Sequence, residues 1–231
     1  MLFRSIAAAR GAITGELRLG VADNCLSNPD ARIVETLEAF TAEAPEVELT
    51  VIVDAPSRLN RALLARELHA AIDGVEPDQE RLTAVSLFRE EFRLFVAVEP
   101  GAPAPHLAAL GDRGYRAVMR RAEQSPAARA LKRLPLAGQA DASGLEAVAT
   151  LVATGRYVGL LPTHMLKGFA ISRRFVEVEG AEDFTFASEL MLLSETRRPA
   201  TPALAMLRDC AIATHLRATS ARPTGRLRDA G

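Results

Sequence analysis

The sequence predicts an α/β protein of two lobes. Three observations carry this: short β-rich runs alternate with helical periods along the chain, no repeat of fixed period interrupts them, and the stretch EPGAPAP at residues 99–105 parts one β-α-β cluster from a second. Its three prolines and one glycine cannot sit inside a helix or a central strand. Alternating strands and helices pack as mostly parallel sheets with helices on both faces, so each cluster is expected to form one Rossmann-like lobe. Two crossover segments would join the lobes, near residues 96–100 and 192–195. The expected division is residues 15–95 with 195–216 in lobe I and residues 96–194 in lobe II.

The elements follow in order. Residues 17–22 and 47–53 are β-rich runs, each followed by a turn signal and then a helical pattern. The first helix is expected to begin at Asn28, Pro29 and Asp30: Asn caps, Pro suits the first helical position and Asp meets the positive end of the dipole. Its buried stripe is Ile33, Leu37, Phe40 and Ala44. A second helix is expected over 57–66, with Ser57 as its cap and Leu59, Ala62 and Leu63 inward, and the strand 69–72 follows at once. Residues 82–88 and 92–98 read as two strands parted by Arg89, Glu90 and Glu91. In the second cluster, 115–119 is a strand, Ser125 and Pro126 open a helix to about Leu134, 136–140 is a weaker strand, and Ser143 with Glu146 forms a capping-box pattern before the helix 145–153. Strands at 157–161, 175–178 and 187–194 follow, and Thr201 with Pro202 starts a last helix whose inner face is Leu204, Leu207 and Ala211. That helix has no strand of its own in the second cluster and is expected to pack on lobe I. The polar, Arg-rich tail 217–231 lacks periodicity and is expected to be disordered.

Composition excludes several functions. Lys+Arg of 28 against Asp+Glu of 29 is not the balance of a domain that grips phosphates. Two cysteines, Cys25 and Cys210, build neither a disulfide framework nor a cysteine-rich zinc site, and His69, His106, His164 and His215 have no metal-ligand spacing. No Walker, Gly-x-Ser-x-Gly or dinucleotide pattern occurs. The expectations are therefore a non-enzyme without cofactor or metal, no membrane span, and a cytoplasmic location.

Four segments resemble the effector-binding domain of LysR-type transcriptional regulators. GELRLGV at 15–21 looks like that family's first regulatory strand, and Phe40 with APEVEL at 44–49 like its join from first helix to second strand. LLARELHAAI at 63–72 and LVATGRYVGLLP at 151–162 match two further family segments, in order and at fitting spacing. His69 departs from the pattern, standing where the family commonly has Asp. The resemblance implies the type 2 periplasmic-binding fold, an effector between the lobes and a homodimer or higher oligomer. It also implies DNA binding only through a winged helix-turn-helix that this chain does not include, with residues 1–14 as the remnant of a linker helix. The alternative is a free-standing solute-binding protein of the same fold.

Ligands in open α/β sheets sit beyond the C-terminal ends of strands, where helix N-termini converge. Four such ends carry small polar residues, giving the candidate effector contacts Asp23, Asn24, Cys25, Ser27, Ser57, Gln124, Ser125 and Ser143. Helix capping is the competing role for Ser57, Ser125 and Ser143, and a thiol sensor is the less favoured role for Cys25. Asp23, Asp54 and Glu76 lie on the same side and would repel a dianion, so a monoanionic or polar neutral effector is expected. Arg120 and Arg121 read as a solvated pair at a strand end.

Overall fold

The computed structural model describes residues 12–23, 25–74, 80–121, 125–167 and 172–221. Its strands are β1 (Thr14–Ala22), β2 (Glu46–Asp54), β3 (Ala70–Asp73), β4 (Leu82–Val98), β5 (Arg116–Arg120), β6 (Gln139–Ala142), β7 (Tyr157–Pro162), β8 (Arg174–Glu177) and β9 (Phe186–Glu195). The helices are α1 (Ile33–Glu43), α2 (Pro56–Leu64), α3 (Pro126–Leu131), α4 (Leu145–Ala153) and α5 (Pro202–Ala221). Among the described residues these strands hydrogen-bond in the order β2-β1-β3-β9-β4-β7-β5-β6, with β8 branching from β4. β1 is parallel to β2 and β3, and β5 is parallel to β6 and β7. The two parallel groups are linked by the antiparallel pair of β4 and β9.

The hydrogen bonding is thus continuous, and the division into halves lies in the apolar packing. One core holds Leu17, Leu19, Phe40, Leu59, Leu63, Ile72, Phe88, Leu190 and Leu193, together with Leu204, Leu207 and Ala211 of α5. Two further cores cover opposite sides of the second parallel group, one around Leu94, Leu110, Leu131 and Val158 and one around Phe92, Val118, Val148 and Leu161. The break falls between Phe88 and Phe92 on β4 and between Phe186 and Leu190 on β9. These points precede the expected crossovers at 96–100 and 192–195, because β4 and β9 run through both halves instead of ending at them. The Arg89, Glu90 and Glu91 interruption is therefore not a turn between two strands but the middle of one 17-residue strand.

Other boundaries moved for local reasons. α1 starts at Ile33, after a left-handed Arg32 (φ 47°), and Asn28 is buried in the preceding turn, where its Oδ1 accepts the Asp30 amide at 2.9 Å. α2 starts at Pro56, with Ala55 as its cap residue and Asp54 Oδ1 accepting the Ala55 amide at 2.7 Å, so Ser57 lies one residue too late to cap. Proline at the first helical position sets that start. α3 ends at Leu131 and not Leu134, and β6 covers Gln139–Ala142, shifted from the expected 136–140. Thr14 already belongs to β1, and α5 continues to Ala221, into the tail expected to be disordered; residues 1–11 and 222–231 lie outside the described residues. His69 Nδ1 accepts the Arg18 amide at 2.9 Å, a bond an Asp carboxylate at this strand start would also accept. Burial, first, and then the Arg198 charge lower its pKa, which keeps that nitrogen unprotonated and accepting.

Candidate functional site

Polar groups from both halves meet where the apolar packing breaks. Asp23 follows directly on β1, and its Oδ2 accepts the amide of Leu145 at 2.9 Å, across 122 residues of chain. Leu145 opens α4, so that N–H has no acceptor within its own helix. The α4 cap residue, Gly144, has φ 85° and makes no side-chain cap bond. A Cβ there would stand 2.9 Å from Asp23 Oδ2, so both the left-handed backbone and the close approach require glycine. The expected capping box of Ser143 and Glu146 does not form, because a carboxylate from the other half has taken its place; Ser143 is exposed.

Glu90 is the centre of the cluster. It is 8% exposed in the middle of β4, and its Oε1 accepts Asn28 Nδ2 at 3.2 Å and stands 3.4 Å from His164 Nδ1. Asn28 comes from the first half and His164 from the 3₁₀ turn Thr163–Lys167 of the second. Burial pushes the Glu90 carboxyl up to about 7, with the Asp23 charge adding to it, while the Asn28 bond and the Arg120 charge oppose the rise. Arg120, the last residue of β5, lies with its guanidinium carbon 5.7 Å from the centre of the Phe92 ring, which stacks on Phe186 at 4.8 Å.

The expected contacts divide. Asp23 reaches the opposite half, as described. Cys25 is 3% exposed, and burial, with the Glu90, Asp23 and Asp73 charges, pushes its thiol up to about 12, so it holds its proton and has no thiolate chemistry. Ser27 is exposed at the end of the 3₁₀ turn Cys25–Ser27, and Ser57 is exposed in the first turn of α2. Ser125 is half-buried and caps α3, its Oγ accepting the Ala128 amide at 3.1 Å. Asn24, Gln124 and also Glu76 lie outside the described residues.

Sequence reasoning missed Glu90, the bridging role of Asn28, and His164. The signal for Glu90 was present: three charged residues inside a long β-rich run mark a strand that leaves one core before entering another. His164 was weighed only as a metal ligand. Among the described residues no group of three or more His, Cys, Asp or Glu could hold a metal ion, and no helix is long and apolar enough to cross a membrane. A separate groove of about 600 Å³ lies away from the cluster, between His106, Leu107, Gly111, Leu134 and Leu136.

The cluster can offer a ligand donors and acceptors from two half-molecules, and known proteins of this shape are ligand-binding regulators. The family model of the LysR substrate binding domain matches residues 10–215. The chain is 26% identical over 157 residues to the HTH-type transcriptional activator BauR of Pseudomonas aeruginosa, covering 66% of this chain and 50% of that protein, so it spans about half the length of that curated relative. Among solved structures, the effector-binding domain of QuiR in complex with shikimate superposes with a TM-score of 0.69 at 14% identity, over 88% of this chain and 98% of that one. The regulatory domain of CcmR from Synechocystis PCC6803, in complex with 2-PG, gives 0.68 at 16% identity, over 87% and 98%. Full-length CbnR complexed with its target DNA gives 0.63 at 18% identity, over 91% of this chain and 73% of that one. At these identities the structural likeness shows the fold, a mixed α/β arrangement of the type 2 periplasmic-binding kind. The family match, extending over most of the sequence, shows more: the chain belongs to the LysR substrate-binding domain family.

Proposed function

We propose that this chain is the effector-sensing part of a LysR-type transcriptional regulator and performs no chemistry of its own. A small organic molecule binds between the two halves, taken here as the lobes, and its unequal affinity for two lobe or subunit arrangements biases DNA binding by a winged helix-turn-helix outside this chain. The observation that supports this best is the meeting of polar groups from both halves at the one break in the apolar packing. The effector contacts we assign are Asp23, Asn24, Cys25, Ser27, Ser57, Gln124, Ser125 and Ser143, with Cys25 contributing through its backbone because its side chain is buried. Asp23 and Glu90 repel a dianion and Arg120 attracts a single negative charge, so the effector is monoanionic or polar and neutral. The setting is cytoplasmic.

The protein acts as a homodimer in this reading. Val34 on α1 and Val51 and Val53 on the edge strand β2 are 51%, 42% and 66% exposed. Glu35 and Glu38 on α1 are exposed, as are Arg129, Lys132 and Arg133 at α3, which gives a two-fold pairing of α1 with the partner's α3 opposite charges.

The test begins with a thermal-shift panel of small organic acids and polar neutral metabolites. A ligand present at a hundred times its Kd stabilises the fold by about 2.7 kcal/mol. Calorimetry with the best of them then compares the chain with the Ser27→Ala, Ser57→Ala double variant. For an acid, the expected loss is about 1 to 3 kcal/mol of binding energy, because hydrogen bonds to a charged group are the stronger kind. Unchanged affinity would place the site elsewhere.

A further inference from the structure

We infer that Glu90, with Asn28, Asp23 and His164, forms a proton-controlled clasp that holds the two lobes together when no effector is bound. The geometry is that of a bridge. Glu90 lies between the two apolar cores, and one of its oxygens meets Asn28 from the first lobe and His164 from the second. A second link, Asp23 to the Leu145 amide, joins the same loop of the first lobe to α4 of the second. Both links lie where the lobes would have to part for a molecule to enter. The strands do not depend on either link, since β4 and β9 pair with each other as one antiparallel ribbon through both lobes.

Every element packed around Glu90 contributes to its charge balance. The end of β1 brings Asp23, and the following turn brings Cys25, a protonated thiol, and Asn28, a neutral donor. β5 brings Arg120, and the turn after β7 brings His164. On β9 the residue opposite is Ser188, whose hydroxyl is turned to the Gly74 carbonyl. The carboxyl therefore sits among one carboxylate, one guanidinium and one imidazole, in a place water reaches poorly.

The sign of the proton's effect follows from linkage. Closure buries the carboxyl and raises its pKa from an ordinary 4.5 to about 7, so closure takes up a proton between those values. The closed arrangement is favoured most below pH 4.5, weakens by up to about tenfold per pH unit as pH rises to about 7, and is insensitive to this group above that. An effector that enters the cleft would then meet a clasp already loosened near neutral pH and tightened by acidification. The device needs no ligand, so it goes beyond the effector reading and stands or falls apart from it.

The test places one spin label on each lobe, through Arg61→Cys on α2 and Arg129→Cys on α3, both exposed, while the buried Cys25 and Cys210 stay unlabelled. Inter-label distances are measured from pH 5 to 8 without ligand. The expected result is a shift from a single short distance at pH 5 to a mixture with a longer one near pH 7, with no further change to pH 8. Glu90→Gln should stay at the short distance throughout, since the amide keeps the acceptor and loses the charge, and Asp23→Ala should show the longer distance already at pH 5. Wild-type distances that do not respond to pH would overturn the proposal even if the Gln variant failed to fold. The same response persisting in Glu90→Gln would overturn it as well, because another group would then carry the proton.

Discussion

Two helix starts in the second half of this molecule are capped in different ways. α3 is capped from inside its own sequence, by Ser125 three residues before the amide it accepts, with Pro126 at the first helical position. α4 is capped from the other half, by Asp23, while its own cap residue is a glycine with no side chain to offer. The physical task is the same, satisfying an amide that a helix leaves without a partner. The consequence differs. A local cap stabilises a helix whatever the rest of the chain does, whereas a cap supplied from 122 residues away exists only while the two halves are in contact. The second kind makes helix stability and lobe arrangement report on each other.

That contrast is sharpest at Glu90, the buried member of the cross-lobe group. Raising its pKa from 4.5 to about 7 means that the folded state keeps a proton which the unfolded state has lost over that window, so stability falls as pH rises through it and the loss is complete above about 7. The size is up to about 3 kcal/mol. Urea unfolding of Glu90→Gln should accordingly match the wild type near pH 4 and exceed it by up to that amount at pH 8. Equal stability of the two proteins at both pH values would show that Glu90 is solvated.

Next in size is Asp23→Ala, which removes the α4 cap and one cross-lobe link together. A lost cap costs about 0.5 to 2 kcal/mol, and this one should fall in the upper half of that range with reduced protection of the Leu145 amide against hydrogen exchange. Ser125→Ala should cost about 1 kcal/mol, with exchange changing at α3 and not at Leu145. If both variants perturbed both helices equally, the distinction between local and cross-lobe caps would collapse. Smallest is Ser57→Ala, expected to lie within about 0.5 kcal/mol of wild type by thermal unfolding, since Ser57 is exposed and does not cap α2.

The same contrast explains what the sequence disclosed. Alternation of β-rich and helical runs revealed the α/β class, and local chemistry revealed the Ser125 cap and the inner face of α5, because those features are decided within a few residues. Family resemblance over the 15–21, 63–72 and 151–162 segments pointed to the right fold and family, now shown by the match over 10–215. The candidate site was less legible. Asp23 was singled out for its place after β1, but its partner on α4 follows from how the halves meet and not from neighbouring residues. Ser143 and Glu146 carry a capping pattern that tertiary structure overrode. Asn28 looked like a helix cap and instead bridges to Glu90, 62 positions away. Arg89, Glu90 and Glu91 looked like a turn because a charged break in an apolar run usually is one. Here the strand continues through the break, and the charges mark the passage between two cores.

A ligand seat between the lobes is the central claim, and amide hydrogen exchange locates such a seat whichever side chains line it. The measurement compares the chain alone with the chain saturated by the tightest-binding compound of the thermal-shift panel. Added protection is predicted around residues 25–28 of the first lobe together with 142–145 and 163–167 of the second. Protection confined to the groove of His106, Leu107, Gly111, Leu134 and Leu136, with the cleft segments unchanged, would contradict the claim.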